Sequence, residues 1–190
     1  MGDGMVMIWL VGNVDPQTSA VCGALANHQL LLFDDPEELR RASHNDVADL
    51  IVVAGWRHLI PADVLANPRL GTVGFHSAKL PEYPGRAPVP WTLLRGDSFA
   101  YNTMLFLDEG VDSGDIIDER VTAVMGDDTP ETLYDWMAMT AVDMLLTHLP
   151  ALLAGTAPRT PQDQSRRGPL TTKDGWDRLR SRDAVVLDPR

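Results

Sequence analysis

Two short stretches hold the side chains best suited to chemistry. In "GTVGFHSAKLPEYPGRAPVPW" (71–91) one histidine, His76, stands where an apolar run gives way to a loop with four prolines. Parallel α/β sheets bind ligands at the carboxyl ends of their strands. A histidine there can hold or release a proton near neutral pH, and as imidazolium it can donate a hydrogen bond to a developing oxyanion. Position alone also allows a buried histidine satisfied by a backbone carbonyl. Further along, "DEGVDSGD" gathers Asp108, Glu109, Asp112 and Asp115. Their spacing does not fit an EF-hand loop, which alternates its oxygen ligands before a glycine and a distant glutamate. Solvated carboxylates with Gly114 in a left-handed turn position are the plainer reading, and no metal is expected.

Other chemistries find less support. "VGNVDPQTS" has neither G-x-G-x-x-G nor the Walker spacing. His28, His44 and His148 have no second histidine or cysteine at ligand spacing and read as surface or core residues. Ser77 adjoins His76, but neighbours on an extended chain point to opposite faces, so no catalytic triad is indicated. Cys22 is the only cysteine, which rules out an intrachain disulfide and reads as a small core residue of a reducing compartment.

These residues must be carried by a fold that 190 residues can build around one core. The formal charge of −11 argues against nucleic acid and anionic membrane as partners. "MVMIWLVG" (5–12) is too short to span a bilayer and is expected to be a first strand, and with no other long apolar run the chain is expected to be soluble and cytoplasmic. Asp15-Pro16 and Asp34/Asp35-Pro36 mark helix starts, flanking a short strand "QLLLF" (29–33). "ADLIVVAGW" (48–56) is a near-continuous apolar run, the mark of a strand buried on both faces. "IPADVLANP" predicts a short helix, "LGTVGFH" a strand, and "YNTMLFL" and "IIDERVTAV" a later pair. A long helix is predicted from Asp128 or Thr129, with Pro130 at its first position, to about Gly155; Leu133, Trp136, Met137, Thr140, Met144 and Leu145 form its core face and Pro150 bends or breaks its last turns. From Thr156 the composition shifts to Pro, Arg, Gln and Asp and predicts an extended tail. The expected architecture is α/β, a Rossmann-like, mostly parallel sheet flanked by helices, divided into residues 1–155 and a C-terminal extension 156–190.

Taken together, "GFHSAKLPEYPGRAPVPWTLLRGD" and "LDEGVDSGDII" resemble the 10-formyltetrahydrofolate-dependent formyltransferase superfamily, over about residues 48–154. That family carries Asn-x-His at a strand end, then Leu-Pro, a Tyr, Gly-x-x-Pro and a Trp, and an Asp-x-Gly-Asp loop. The resemblance implies that His76 matches the family's catalytic histidine and Asp112 its catalytic aspartate, acting on a primary amine and the formyl group of the folate without a metal. "AGWRHLIPADVL" matches the segment lining the pterin pocket, so the implied cofactor contacts are His58, Leu59 and Ile60, with Leu107, Asp108, Gly110 and Val111 opposite.

The chain departs from the family at Gly74, where the asparagine two residues before the histidine is missing. Losing one oxyanion donor typically costs on the order of 10²–10³ in rate. Asn102, on the neighbouring predicted strand, is the candidate substitute donor. For the acceptor, the acidic composition and the length, too short for the C-terminal barrel of the methionyl-tRNA enzymes, point to a small amine, a nucleotide-linked amino sugar or unusual amino acid, in a possible homodimer. Glycinamide ribonucleotide is less favoured because no phosphate loop is evident after the first strand. Two rival expectations are a folate-binding regulatory module without transferase activity and a 10-formyltetrahydrofolate hydrolase. In the tail, Trp176 either stacks on a base or packs the tail down, and packing is the expectation.

Overall fold

A computed structural model describes residues 6–13 and 15–186. Its elements run β1 (Met7–Val11), α1 (Pro16–Ala24), β2 (Gln29–Phe33), α2 (Pro36–Asn45), β3 (Leu50–Val53), α3 (Ala62–Leu65), β4 (Thr72–His76), α4 (Pro88–Arg95), β5 (Phe99–Phe106), β6 (Ile116–Ala123), α5 (Pro130–Leu153) and α6 (Gly175–Val186). Three helix starts follow from side chains that cap orphan amides beside a proline that needs no N–H. Asp15 accepts from the Thr18 amide at 2.8 Å, Asp35 from the Glu38 amide at 2.9 Å, and Thr129 and Thr132 cap each other reciprocally.

The six strands form one mixed sheet in the order β2-β1-β3-β4-β5-β6. β1 pairs in parallel with β2 and β3, and β3 with β4, whereas β5 and β6 are antiparallel. The central strands bury both faces. Ile8 and Leu10 join Leu50, Val52, Val73, Met104 and the α5 residues Ala141, Met144 and Leu145 in one core. Trp9 and Val11 join Ile51, Val53, Leu39 and Val64 on the opposite side. Each such aliphatic side chain contributes roughly 1.5–3 kcal/mol.

Four expectations need correction. The proline-rich loop after His76 contains a helix, α4, whose Pro88 and Pro90 both lie in its first turn, where the amide protons would be unpaired anyway. Pro150 does not break α5, which continues to Leu153 because one lost backbone bond is outweighed by burial of Leu149 and Leu152. α5 is also a second long apolar run: by length and composition alone it could cross a membrane, and here its apolar side packs on the sheet and α1. Finally, the tail is extended only to about residue 172 and then forms α6. Trp176 packs the tail down, its ring stacked on Tyr134 of α5 at 6.1 Å, while the Trp91 indole of α4 donates to the Thr172 carbonyl at 2.9 Å.

Candidate active site

β4 delivers His76 to the rim of the sheet with only 6 % of its surface exposed. The ring is fixed at both nitrogens. Nε2 lies 2.8 Å from the Tyr83 carbonyl oxygen, which can only accept, so Nε2 carries a proton. Nδ1 faces Oδ2 of Asp112 at 3.5 Å. The same Oδ2 accepts from the Gly85 amide at 2.8 Å.

The loop carrying Asp112 is shaped by two close approaches. The left-handed residue in "VDSGD" is Asp112 itself, with φ of 50°, and Gly114 is not among the positive-φ glycines. Gly114 is glycine for another reason: a Cβ there would come within 2.0 Å of the Phe106 carbonyl oxygen. The four acidic residues of this stretch do not converge. Asp108 accepts from the Gly110 amide and the Ser113 hydroxyl, Asp115 faces Arg159, and no group of three or more His, Cys, Asp or Glu suited to a metal occurs among the described residues.

The residues expected at the folate surface come from two segments. Trp56, Ile60 and Leu107 pack against the same apolar cluster, so the 56–60 loop and the end of β5 meet. Leu59 stands 71 % exposed, and His58 is exposed with its ring edge-on to Trp56 at 5.2 Å. The Trp56 indole nitrogen is buried without a hydrogen-bond partner. Val111 is half-buried, and Asp108 and Gly110 lie exposed on the far loop. Cavities of about 340 and 530 Å³ lie beneath α4 and beside β2, and neither is lined by His76 or Asp112.

Asn102 is not positioned as an oxyanion donor. Its amide donates to the Met137 carbonyl and to the Thr140 hydroxyl of α5, both at 2.9 Å, and it is fully buried. His76 pairs across β4 and β5 with Thr103, and successive strand residues face opposite ways, so Asn102 and His76 lie on opposite faces of the sheet. The space beside Gly74 is taken by an apolar side chain: a Cβ there would lie 3.2–3.4 Å from Leu107.

Sequence reasoning missed the contribution of the tail. Gln162 donates through Nε2 to the carbonyls of Asp112 (3.0 Å) and Gly114 (2.7 Å), and Arg167 donates to that of Val111 (2.6 Å). Thr171 exchanges backbone bonds with Pro84 and Arg86, and the Gly168 amide donates to the Pro81 carbonyl. No motif marks these residues; a run of mixed polar residues looks the same whether it grips a loop or faces solvent.

The open α/β sheet brings a histidine and a carboxylate together at its rim. The chain belongs to the formyl transferase family, whose model, described as formyl transferase, matches residues 31–149. Among curated relatives, methionyl-tRNA formyltransferase from Pelotomaculum thermopropionicum is 36% identical over 134 residues, 68% of this chain and 43% of that protein. The Listeria monocytogenes enzyme of the same name is 34% identical over 136 residues, 69% of this chain and 44% of its own. The chain thus spans less than half the length of these relatives. Among solved structures, the formyltransferase PseJ from Anoxybacillus kamchatkensis, in complex with UDP-4,6-dideoxy-4-formamido-L-AltNAc and tetrahydrofolate, superposes with a TM-score of 0.76 at 22% identity, over 90% of this chain and 88% of that one. HypX from Aquifex aeolicus superposes with a TM-score of 0.79 at 19% identity, over 94% of this chain and 31% of its own.

Proposed function

We propose that the protein is an N-formyltransferase that moves a formyl group from 10-formyltetrahydrofolate to a primary amine of a small molecule. The observation that carries this reading is the His76–Asp112 pair, with each member held by a separate backbone contact and the imidazole facing the carboxylate at 3.5 Å. When bound, 10-formyltetrahydrofolate supplies the electrophilic formyl carbon and accepts the electron pair of the C–N bond that breaks. Trp56, Leu59, Ile60 and Leu107, with Val111 on the facing loop, are the residues that would hold it.

His76 and Asp112 divide the proton chemistry. Because Nε2–H is committed to Tyr83, Nδ1 is the nitrogen left to donate to oxygen as negative charge develops there. The Asp112 carboxylate beside it would take the proton that the attacking amine must lose and return it to N10 as the C–N bond breaks. Gly74 contributes no side-chain donor, so the site works with one fewer than the family pattern.

A small acceptor is supported by the charge of −11 and by the start of α1, where the Asp15 carboxylate occupies the helix terminus that a phosphate would otherwise use. The fold shared with PseJ over most of both chains agrees with a nucleotide-linked amino sugar. A second reading, methionyl-tRNA as acceptor, is favoured by the identity of 36% to the Pelotomaculum thermopropionicum enzyme. The test is incubation with 10-formyltetrahydrofolate and a panel of amino-sugar nucleotides, amino acids and methionyl-tRNA, read by mass. Gain of one formyl group on a small amine supports the proposal, and gain on the tRNA alone replaces the acceptor. Formate released without any amine would mean hydrolysis, and folate binding with no transfer would mean a regulatory module.

A further inference from the structure

We propose that Gln162 and Arg167, in the extended segment after α5, are positioning residues of the active centre that hold the Asp112 loop in the conformation aiming its carboxylate at His76. This rests on the transferase reading for its kinetic consequence, though not for its structural one. Asp112 adopts φ of 50°, in the left-handed region that aspartate enters more readily than most residues with a Cβ but still at a cost, so contacts that hold its loop matter. Within the loop, Asp108 caps only the Gly110 amide and the Ser113 hydroxyl. The carbonyls of Val111, Asp112 and Gly114 are instead claimed by the two tail side chains, one amide group spanning both sides of Ser113 and one guanidinium gripping the residue before Asp112.

The tail then reaches the other half of the pair. Thr160 bridges Ile116 where the Asp112 loop enters β6, and beyond Arg167 the Gly168 and Thr171 backbones bond to Pro81, Pro84 and Arg86. Those bonds fix the turn that presents the Tyr83 carbonyl to His76 and the Gly85 amide to Asp112. Gly85 itself is required by the strap, since a Cβ there would come within 2.5 Å of the Thr171 backbone. His76 ends β4 and Asp112 lies on a separate loop, and residues 160–171 bond both to the Asp112 loop and to the turn after His76.

Gln162→Met keeps the length of the side chain and removes its donor. We expect kcat to fall about 10²-fold, more than any rise in KM for 10-formyltetrahydrofolate, because the strap touches the folate surface only through the Val111 carbonyl. In an Asp112→Asn background the same change should cost nothing further, since there is no longer a carboxylate to aim. Arg167→Met should act in the same way. Residue-resolved amide exchange gives a readout independent of activity: the Gly85 amide, whose acceptor is Asp112, should lose protection in Gln162→Met while the amides of β1 and β3 keep theirs. Wild-type kcat, additive losses with Asp112→Asn, or an unchanged Gly85 amide would each overturn the proposal. A chain inactive with every acceptor but with Gly85 deprotected by Gln162→Met would sink the transferase reading and leave the strap standing.

Discussion

Beside the exposed His44–Asp63 contact, two histidine–aspartate pairs among the described residues are built for different ends. His148 on α5 meets Asp118 on β6 at 2.8 Å through Nε2, and Arg120 donates to both carboxylate oxygens of Asp118 while also reaching Asp143. Burial acts to raise the Asp118 carboxyl, but the hydrogen bonds from His148, the Glu119 amide and Arg120 outweigh it and hold the group below the usual carboxylate range. Every partner lies on a regular element, and the pair joins α5 to β6. His76, the last residue of β4, and Asp112, on a loop, use the same residue types at 3.5 Å, with the aspartate in a left-handed conformation. One pair is closed by the Arg120 guanidinium, whereas the other has no further ion-pair partner among the described residues. Residue type therefore says less about role than the spacing and backbone of the elements that deliver it.

The largest effect should separate the pairs outright. His76→Ala is expected to lower kcat/KM for formyl transfer by about 10³ or more and Asp112→Asn by about 10²–10⁴, with little change in Tm, as steady-state kinetics and thermal melts would read. Retained activity in either would mean that the His76–Asp112 pair is only structural. Next, Gly74→Asn alone should be poorly tolerated, because its Cβ meets Leu107, and overpacking of this kind costs about 1–3 kcal/mol. Adding Leu107→Ala makes room, and the double variant should exceed Leu107→Ala alone in kcat by about 10² as the missing donor is restored.

For the closed pair the order reverses. His148→Ala should leave kcat/KM unchanged and lower stability by about 1.5–3 kcal/mol in urea unfolding. Because the Asp118 carboxyl is lowered in the folded state, its contribution is fully present above the unfolded value near 3.8 and is lost as pH falls through the folded value. The stability gap between the wild type and Asp118→Asn should accordingly be about 1 kcal/mol at neutral pH, after solvent screening, and close in acid. The smallest effect on chemistry belongs to Asn102→Ala, which should loosen α5 by about 1 kcal/mol and leave turnover per folded molecule intact. Loss of formyl transfer there would restore Asn102 as an oxyanion donor.

Much of the fold was legible because it is written over a few adjacent residues. Asp-Pro and Thr-Pro pairs marked the starts of α1, α2 and α5, and "QLLLF" gave β2 its true bounds. α4 was hidden because its prolines read as loop residues until their place in a first turn was known. Asn102 was misassigned because nearness of strands says nothing about facing; one residue along a strand reverses the side chain, and register with β4 decided it. Likewise "VDSGD" advertised a left-handed glycine, but the approach of Phe106 left Gly114 no room for a Cβ and placed the strained φ on Asp112.

By itself the sequence determined the helix caps, the buried strands and the order of motifs in which His76 precedes Asp112, since each is local chemistry or a pattern read along the chain. Only the tertiary structure decided that these two side chains face each other, that Leu107 fills the space beside Gly74, and that Gln162 and Arg167 reach back to the loop between them. The physical reason is one of range: caps and hydrophobic periods are set within a turn or two of helix or strand. Contacts between residues some 30 to 50 positions apart depend on sheet register and on where a tail is laid down, and no neighbouring residue encodes either.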